Sequence, residues 1–210
     1  MNLFEADEIP IPKRTRSIAH SLAGMSYGRA EDDFYPTPDW CTQALVDREP
    51  LPGVIWEPAC GDGAMSDLLE TAYGNIVSSD LVDRGYRHGQ VPYDFLNGDP
   101  PPIIQKLGAD CIVTNPPFKL AQEFVEHGLI VARHKVCILA KLAFLSSVRR
   151  ADMLARTPFE TVYVFAKRPA FRRNGEHVDG ENGGMIDFAW FCWNKDKAPD
   201  AEPVIRWIAG

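Results

Sequence analysis

The chain lacks the usual marks of a metal-binding, disulfide-bonded or membrane protein. Its five cysteines include no CxxC pair, and its five histidines show neither HxxxH nor HxH spacing, so we expect no zinc site and no disulfide framework. No apolar run approaches the roughly 18–20 residues of a membrane span. The first residues also lack the basic segment and apolar core of a secretory signal. These absences predict a cytoplasmic protein with reduced cysteines, no metal and no membrane partner.

The net charge of −7 argues against a nucleic-acid partner, but the distribution of charge argues for one. Between residues 133 and 173 there are ten Lys or Arg and two acids. A basic segment on an acidic body can form a local surface for phosphates. We therefore expect a basic surface here, although solvated helix faces would give the same composition.

The order of apolar segments predicts an α/β protein. Strands are expected over 54–56, 76–79, 110–114, 136–140, 161–165 and 185–193, and helices over 39–48, 64–72, 101–107, 119–132 and 144–155. With a possible further short element at 93–96, this alternation predicts a doubly wound, mostly parallel seven-stranded sheet. The last two strands have no helix between them, which indicates an antiparallel edge strand. In such folds ligands lie at the carboxyl ends of the strands.

The expected domain organisation is simple. Residues 1–33 are polar and weakly periodic, which predicts a flexible N-terminal arm. Residues 34–210 form one domain, and its 167–184 loop, rich in Gly, Arg and polar residues, is a candidate DNA-contacting element. Thr37 or Asp39 is expected to cap the helix that follows.

A rigid turn follows the strand at 110–114 and carries the sequence Asn115-Pro116-Pro117-Phe118. The Asn115 side-chain oxygen and the Pro116 carbonyl can accept both hydrogens of a planar NH2 group. Phe118 offers a face on which a flat ring can stack. Two prolines fix φ and reduce the entropy lost in holding this geometry. The turn therefore predicts a site that positions an amine for transfer to its nitrogen.

A second loop, 57–63, lies between a strand and a helix and carries Gly61 and Gly63 around Asp62. It has neither the GxGxxG pattern nor the Lys of a P-loop, which disfavours a pyrophosphate ligand. Asp80 ends the next strand, where a carboxylate can accept both hydroxyls of a ribose. A nucleoside without pyrophosphate fits best. Asp94 and Phe95 are candidates for contacts with its base.

Together these two loops resemble the S-adenosylmethionine-dependent amino-methyltransferases of DNA. The resemblance runs from about residue 33 to 193 and is strongest to the N6-adenine enzymes, particularly small phage or prophage ones. It implies S-adenosylmethionine as cofactor, S-adenosylhomocysteine as product and duplex DNA with a flipped adenine as partner.

The resemblance assigns roles residue by residue. Its catalytic residues are Asn115, Pro116, Pro117 and Phe118. Its cofactor residues are Tyr35, Thr37, Pro38, Glu57, Ala59, Cys60, Gly61, Asp62, Gly63, Asp80, Leu81, Asp94 and Phe95. It places Arg168 and Phe171 near the target base, and the basic residues Lys141, Arg172 and Arg173 are further candidate nucleic-acid contacts. No metal is implied.

Several alternatives stay open. The chain has no large insertion to recognise a target sequence, so specificity must come from the 167–184 loop, the arm, a second subunit in a homodimer, or nothing. An Asn-Pro-Pro turn with an aromatic also occurs in methyltransferases of RNA bases and protein glutamine. Cytosine N4 remains an alternative to adenine N6. A non-catalytic module that binds the cofactor or DNA is the alternative from a different class.

Overall fold

A computed structural model describes residues 34–171, 184–198 and 201–209 of this chain. The predicted N-terminal arm, most of the 167–184 loop, and Arg172 and Arg173 lie outside the described residues. No helix within these ranges is both long enough and apolar enough to cross a bilayer.

Five α-helices are present in the described part of the chain: α1 (Asp39–Val46), α2 (Ala64–Tyr73), α3 (Pro102–Leu107), α4 (Ala121–Val131) and α5 (Val148–Arg156). Short 3-10 helices cover Phe118–Leu120 and Leu142–Leu145. The strands are β1 (Ile55–Glu57), β2 (Ile76–Ser79), β3 (Gly89–Gln90), β4 (Ala109–Thr114), β5 (Ala132–Lys141), β6 (Phe159–Phe165), β7 (Phe188–Asn194) and β8 (Val204–Ile208).

All eight of these strands form one sheet, in the order β3-β2-β1-β4-β5-β7-β6-β8. Neighbours from β3 to β5 pair in parallel, β7 is antiparallel to both β5 and β6, and β8 is parallel to β6. The predicted α/β, mostly parallel class is confirmed. The sheet has eight strands rather than the predicted seven, because β3 and β8, which the sequence did not predict, join the six predicted strand segments. The antiparallel strand β7 is not itself the edge strand, because β6 and β8 lie beyond it in the sheet.

Helices cover both faces of the sheet and create two apolar cores. On one face α1 and α2 bury Leu45, Met65 and Leu69 against the sheet. On the other face α3, α4 and α5 bury apolar side chains such as Phe124 and Met153. This arrangement explains the near-continuous apolar runs of β4 and β5, whose residues face a core on both sides.

The chain order reverses at β1, which lies between β2 and β4 in the sheet. At such a switch point the loops after neighbouring strands diverge to opposite faces and leave a crevice. The loop after β1, the end of β2 and the turn after β4 all reach this crevice, as the sequence predicts. The start of β7 reaches the same edge, because Phe188 pairs with Lys141 at the end of β5.

Candidate functional site

The loop after β1 depends on its two glycines. Gly61 and Gly63 both have positive φ, of 57° and 91°. A Cβ at Gly61 would lie 2.4 Å from the Phe34 ring, and one at Gly63 would lie 2.2 Å from the Tyr86 ring. Any larger residue would therefore be strained and would collide with an aromatic ring. The sequence contained no signal for the role of Tyr86, which lies in an irregular segment.

Asp80 closes this loop onto the end of β2. Its Oδ2 accepts the Gly61 amide at 2.8 Å and its Oδ1 accepts the Val82 amide at 2.9 Å. Burial raises the pKa of the Asp80 carboxyl, while these two amides and Arg84 act in the opposite direction. Each oxygen keeps a further acceptor position, so the carboxylate can hold the loop and still accept a hydroxyl. Leu81 follows it and is exposed.

Glu57 points into the protein. Its carboxylate accepts a hydrogen bond from the Ser66 hydroxyl, which also contacts the Ser78 hydroxyl at 2.6 Å. Complete burial raises the pKa of Glu57 to about 8, with smaller contributions from neighbouring acids. The carboxyl therefore keeps its proton to a higher pH than a solvent-exposed glutamate does. The structure gives Glu57 a role in fixing α2 to β1, and its predicted contact with the cofactor stays a prediction.

The remaining loop residues divide between the rim and the interior. Asp62 is exposed and its Oδ1 accepts the Ala64 amide at 3.3 Å, whereas Cys60 is buried. Burial raises the pKa of the Cys60 thiol well above its usual range. Ala59 is half-buried.

Asp94 and Phe95, the two residues predicted to contact the base, differ in their burial. Asp94 lies at a turn, where its oxygens accept the Leu96 amide at 3.0 Å and the Asn97 side chain at 2.9 Å. Phe95 is only 2% exposed. Its ring packs against Phe124, with 4.9 Å between centroids, and belongs to the core. Phe95 therefore offers almost no exposed surface to a ligand, and its contact with the base stays a prediction.

The turn after β4 is anchored by the segment before α1. The Asn115 Nδ2 donates to Thr37 Oγ1 at 3.1 Å and to the Tyr35 carbonyl at 3.4 Å. The Asn115 Oδ1 is buried and has no hydrogen-bond partner among the described residues. A buried acceptor left without a partner is costly, so this atom marks a place where a donor from a ligand would be favourable.

Aromatic rings surround Phe118. Tyr35 stacks on it with 5.7 Å between centroids and 19° between planes, and Phe188 lies 5.5 Å away. The Lys141 Nζ lies 4.3 Å from the centre of the Phe118 ring. The Phe171 ring packs against Phe188, with 4.3 Å between centroids, and so joins the same aromatic group. Sequence reasoning placed Phe171 near the site but missed Phe188, which reads only as the start of a buried strand.

The basic segment does not form one continuous surface. Strand β5 has ten residues, so its two ends lie about 30 Å apart. Arg133 and Lys135, near its start, therefore lie at the opposite end of the strands from Lys141. Lys135 is buried in an ion pair with Glu49. Arg168 pairs with Asp187 at 2.7 Å near the start of β7. The prediction of a single basic surface over 133–173 is therefore wrong, because the segment crosses the molecule.

A cavity of about 700 Å³ lies at the other end of the strands from Lys141, next to Glu49 and Lys135. Its interior charges are already satisfied. The Lys135 Nζ lies 2.6 Å from Glu49 Oε2, and the Tyr163 hydroxyl donates to Glu49 Oε1 at 2.7 Å. The crevice at the carboxyl ends, where the Asn115 oxygen has no partner among the described residues, is the better candidate site. No cluster of three potential metal ligands occurs in the described ranges.

Comparison with known proteins supports the fold. No family model and no curated protein matches the sequence. A type I restriction-modification system methyltransferase subunit from Streptococcus thermophilus matches with a TM-score of 0.54 at 13% identity, over 81% of this chain and 45% of that one. The 23S rRNA methyltransferase ErmE matches with a TM-score of 0.54 at 16% identity, over 80% of this chain and 72% of that one.

The M protein of the type I restriction enzyme EcoKI matches with a TM-score of 0.50 at 13% identity, over 79% of this chain and 44% of that one. This chain spans less than half the length of the restriction-modification subunits that it matches. The chain therefore has the Rossmann-like fold of class I methyltransferases, as its sequence predicts. At these identities the matches establish the fold and nothing more specific.

Proposed function

We propose that this protein transfers a methyl group from S-adenosylmethionine to the exocyclic N6 amine of adenine in DNA. The observation that carries this proposal is the buried Asn115 Oδ1, an acceptor without a partner among the described residues. It lies at a strand's carboxyl end, next to an aromatic ring. An amine donates two hydrogens, and this turn offers two acceptors for them in the Asn115 side chain and the Pro116 carbonyl.

The residues around the crevice fit S-adenosylmethionine. Gly61 and Gly63 give the loop its positive-φ backbone, with the Phe34 and Tyr86 rings packed where a Cβ would lie, and this loop would wrap the methionine and sugar parts of the cofactor. Asp80 retains acceptor positions for a ribose diol. Tyr35 and Thr37 contact the Asn115 side chain, and together with Pro38 they would border the methionine end. The cofactor supplies an electrophilic methyl group on a sulfonium.

The catalytic contribution of the chain is positioning and electrostatics. The adenine amine is a poor nucleophile because its lone pair is delocalised into the ring. Acceptors at Asn115 and Pro116 hold both hydrogens, favour a tetrahedral nitrogen and stabilise the positive charge that develops on it. Phe118 stacks on the ring plane. The amine nitrogen would form its bond to the methyl carbon as the carbon–sulfur bond of the sulfonium breaks, so that S-adenosylhomocysteine is the leaving group. The methylated nitrogen would then lose one proton, and no covalent enzyme intermediate is needed.

A nucleic-acid substrate is supported by the aromatic group and by Lys141. A duplex hides the amine, so the base must be flipped into the crevice. Stacking on Phe118 compensates for the lost base stacking, and Lys141 can leave the ring to pair with a phosphate. An RNA base, a protein glutamine or a non-catalytic role remain the alternative outcomes of the test below.

The test is transfer of labelled methyl from S-adenosylmethionine to unmethylated DNA, RNA and protein, each supplied separately, with the DNA then digested to nucleosides. We expect label in N6-methyladenine. The variant N115A should lose it, whereas N75A, which changes an exposed asparagine, should retain it. Label in N4-methylcytosine, RNA or protein alone would reassign the substrate. Cofactor binding without transfer to any of the three would favour a binding module.

A further inference from the structure

We propose that Thr37 is a positioning residue that holds the Asn115 amide in the direction set by the Tyr35 carbonyl, so that the site selects an amino group over a carbonyl. The proposal rests on the proposed function and deepens it, because it assigns substrate selectivity to a residue outside the Asn-Pro-Pro-Phe turn. It derives from three contacts between the segment before α1 and the turn after β4.

The first step is the orientation of the amide. An asparagine side chain has an oxygen end and a nitrogen end of nearly identical shape, so only the hydrogen-bond partners determine which is which. The Tyr35 carbonyl can accept but never donate. It lies 3.4 Å from the Asn115 amide, so the end facing it must be Nδ2. Thr37 Oγ1 accepts from the same nitrogen at 3.1 Å. A hydroxyl can donate as well as accept, so this bond holds the amide in the direction that the Tyr35 carbonyl sets.

The second step is what this orientation presents to a ligand. With both Nδ2 contacts made inside the protein, Oδ1 is the end that stays buried and without a partner in the described part of the chain. A flipped amide would place Oδ1 against the Tyr35 carbonyl, where two acceptors repel. It would also present an N–H to the substrate. The observed orientation therefore accepts from an NH2 group and disfavours a carbonyl at the same place.

The third step is the support of Thr37 itself. Thr37 precedes α1, and the sequence predicts that either Thr37 or Asp39 caps that helix. The structure has Pro38 at the cap position with no side-chain capping hydrogen bond. The Thr37 hydroxyl bonds to Asn115 instead, and that prediction is wrong. Pro36 and Pro38 restrict the backbone on either side, so the hydroxyl is held on rigid support.

The Tyr35 ring adds a second connection between the same two segments, because it stacks on Phe118. The segment therefore fixes both the amide and the aromatic ring that the proposed function uses. Removing the Thr37 hydroxyl should leave this stacking and the cofactor loop in place and release only the amide. That separation makes Thr37 a sharp test position.

The experiment compares T37V, which removes the hydroxyl at nearly constant shape, with T37S, which keeps it. On unmethylated DNA we expect T37V to lower kcat roughly 10- to 100-fold with little change in the KM for S-adenosylmethionine. T37S should restore most of the wild-type kcat. A fall in T37V that T37S does not restore would overturn the proposal, because packing rather than the hydroxyl would then be responsible.

A second measurement needs no activity. The two Asn115 side-chain amide protons can be assigned by NMR from the signals that disappear in N115A. We expect slow exchange in the wild type and T37S, and faster exchange in T37V. Equal exchange in all three would overturn the proposal. If the exchange difference holds but the wild type methylates neither DNA, RNA nor protein, the proposed function fails while the orientation of Asn115 stands.

Discussion

Lys135 and Glu49 form an ion pair in the interior, with 2.6 Å between Nζ and Oε2. They are 8% and 4% exposed. The Tyr163 hydroxyl donates to the other carboxylate oxygen at 2.7 Å, and the Tyr73 hydroxyl donates to the Glu49 carbonyl at 2.9 Å. Glu49 follows α1, Lys135 lies on β5 and Tyr163 on β6. This network therefore ties the chain that leaves α1 to the middle of the sheet.

The first prediction concerns this ion pair. K135M leaves the Glu49 carboxylate buried and without its cation, and we expect it to lower the free energy of unfolding by about 3–5 kcal/mol. R133M is the matched control. Arg133 pairs with Asp110 but its side chain is 56% exposed, so its loss should cost about 1 kcal/mol or less. Urea unfolding of both variants measures the difference. Equal losses would show that the burial of the pair is not what matters.

The second prediction concerns pH. Burial raises the pKa of Glu57 from its usual 4.5 to about 8 in the folded protein. The folded state therefore binds the proton more tightly than the unfolded state, and the resulting stability is complete below pH 4.5 and is lost as the pH rises through 8. The maximum slope for one proton is about 1.4 kcal/mol per pH unit.

E57Q cannot titrate and can still bond to Ser66. We expect its stability relative to the wild type to rise steadily between pH 5 and pH 8.5, because only the wild type must ionise a buried group. Thermal unfolding at matched pH values gives this difference directly, and the titrations common to both proteins cancel. Parallel curves for the two proteins would mean that Glu57 is ionised in the fold at neutral pH.

The third prediction separates backbone strain from side-chain collision in the glycine loop. Gly63 and Gly74 both have positive φ, at 91° and 74°. A Cβ at Gly63 would lie 2.2 Å from Tyr86, whereas one at Gly74 would meet nothing within 4 Å. We expect G74A to cost about 1 kcal/mol from strain alone. G63A should cost more and should also abolish S-adenosylmethionine binding by calorimetry. Cofactor binding by G63A at the G74A level would contradict the assigned loop.

Sequence reasoning located the crevice because its signals are local. Each candidate loop follows an apolar strand, and parallel strands bring their carboxyl ends to one edge of a sheet. The polar pairings that fix the loops are not local. Asn115 meets Thr37 across 78 positions and Lys135 meets Glu49 across 86. Nothing in the composition marks such partners, and a threonine before a helix is more simply read as a cap.

Two features were not predicted correctly from sequence: the distribution of basic residues over the surface and the last strand of the sheet. Counting charges along 133–173 ignores that a long strand carries its first and last residues to opposite edges. Strand β8 was missed because Val204–Ile208 is short and mostly exposed, with only Ile208 buried. Its assignment depends on pairing with β6, which a periodic pattern within the segment cannot reveal.

The last prediction tests whether Lys141 changes partner when DNA binds. Its Nζ lies over the Phe118 ring at 4.3 Å, where it would compete with a stacked base. If it moves to a phosphate, K141A should weaken DNA binding and reduce the slope of log K against log salt by about one. K106A removes an equal charge from exposed Lys106 on α3 and should leave the slope unchanged. Binding titrations at several salt concentrations measure both slopes. An unchanged slope in K141A, or an equal change in K106A, would mean that Lys141 makes no specific phosphate contact and stays with Phe118.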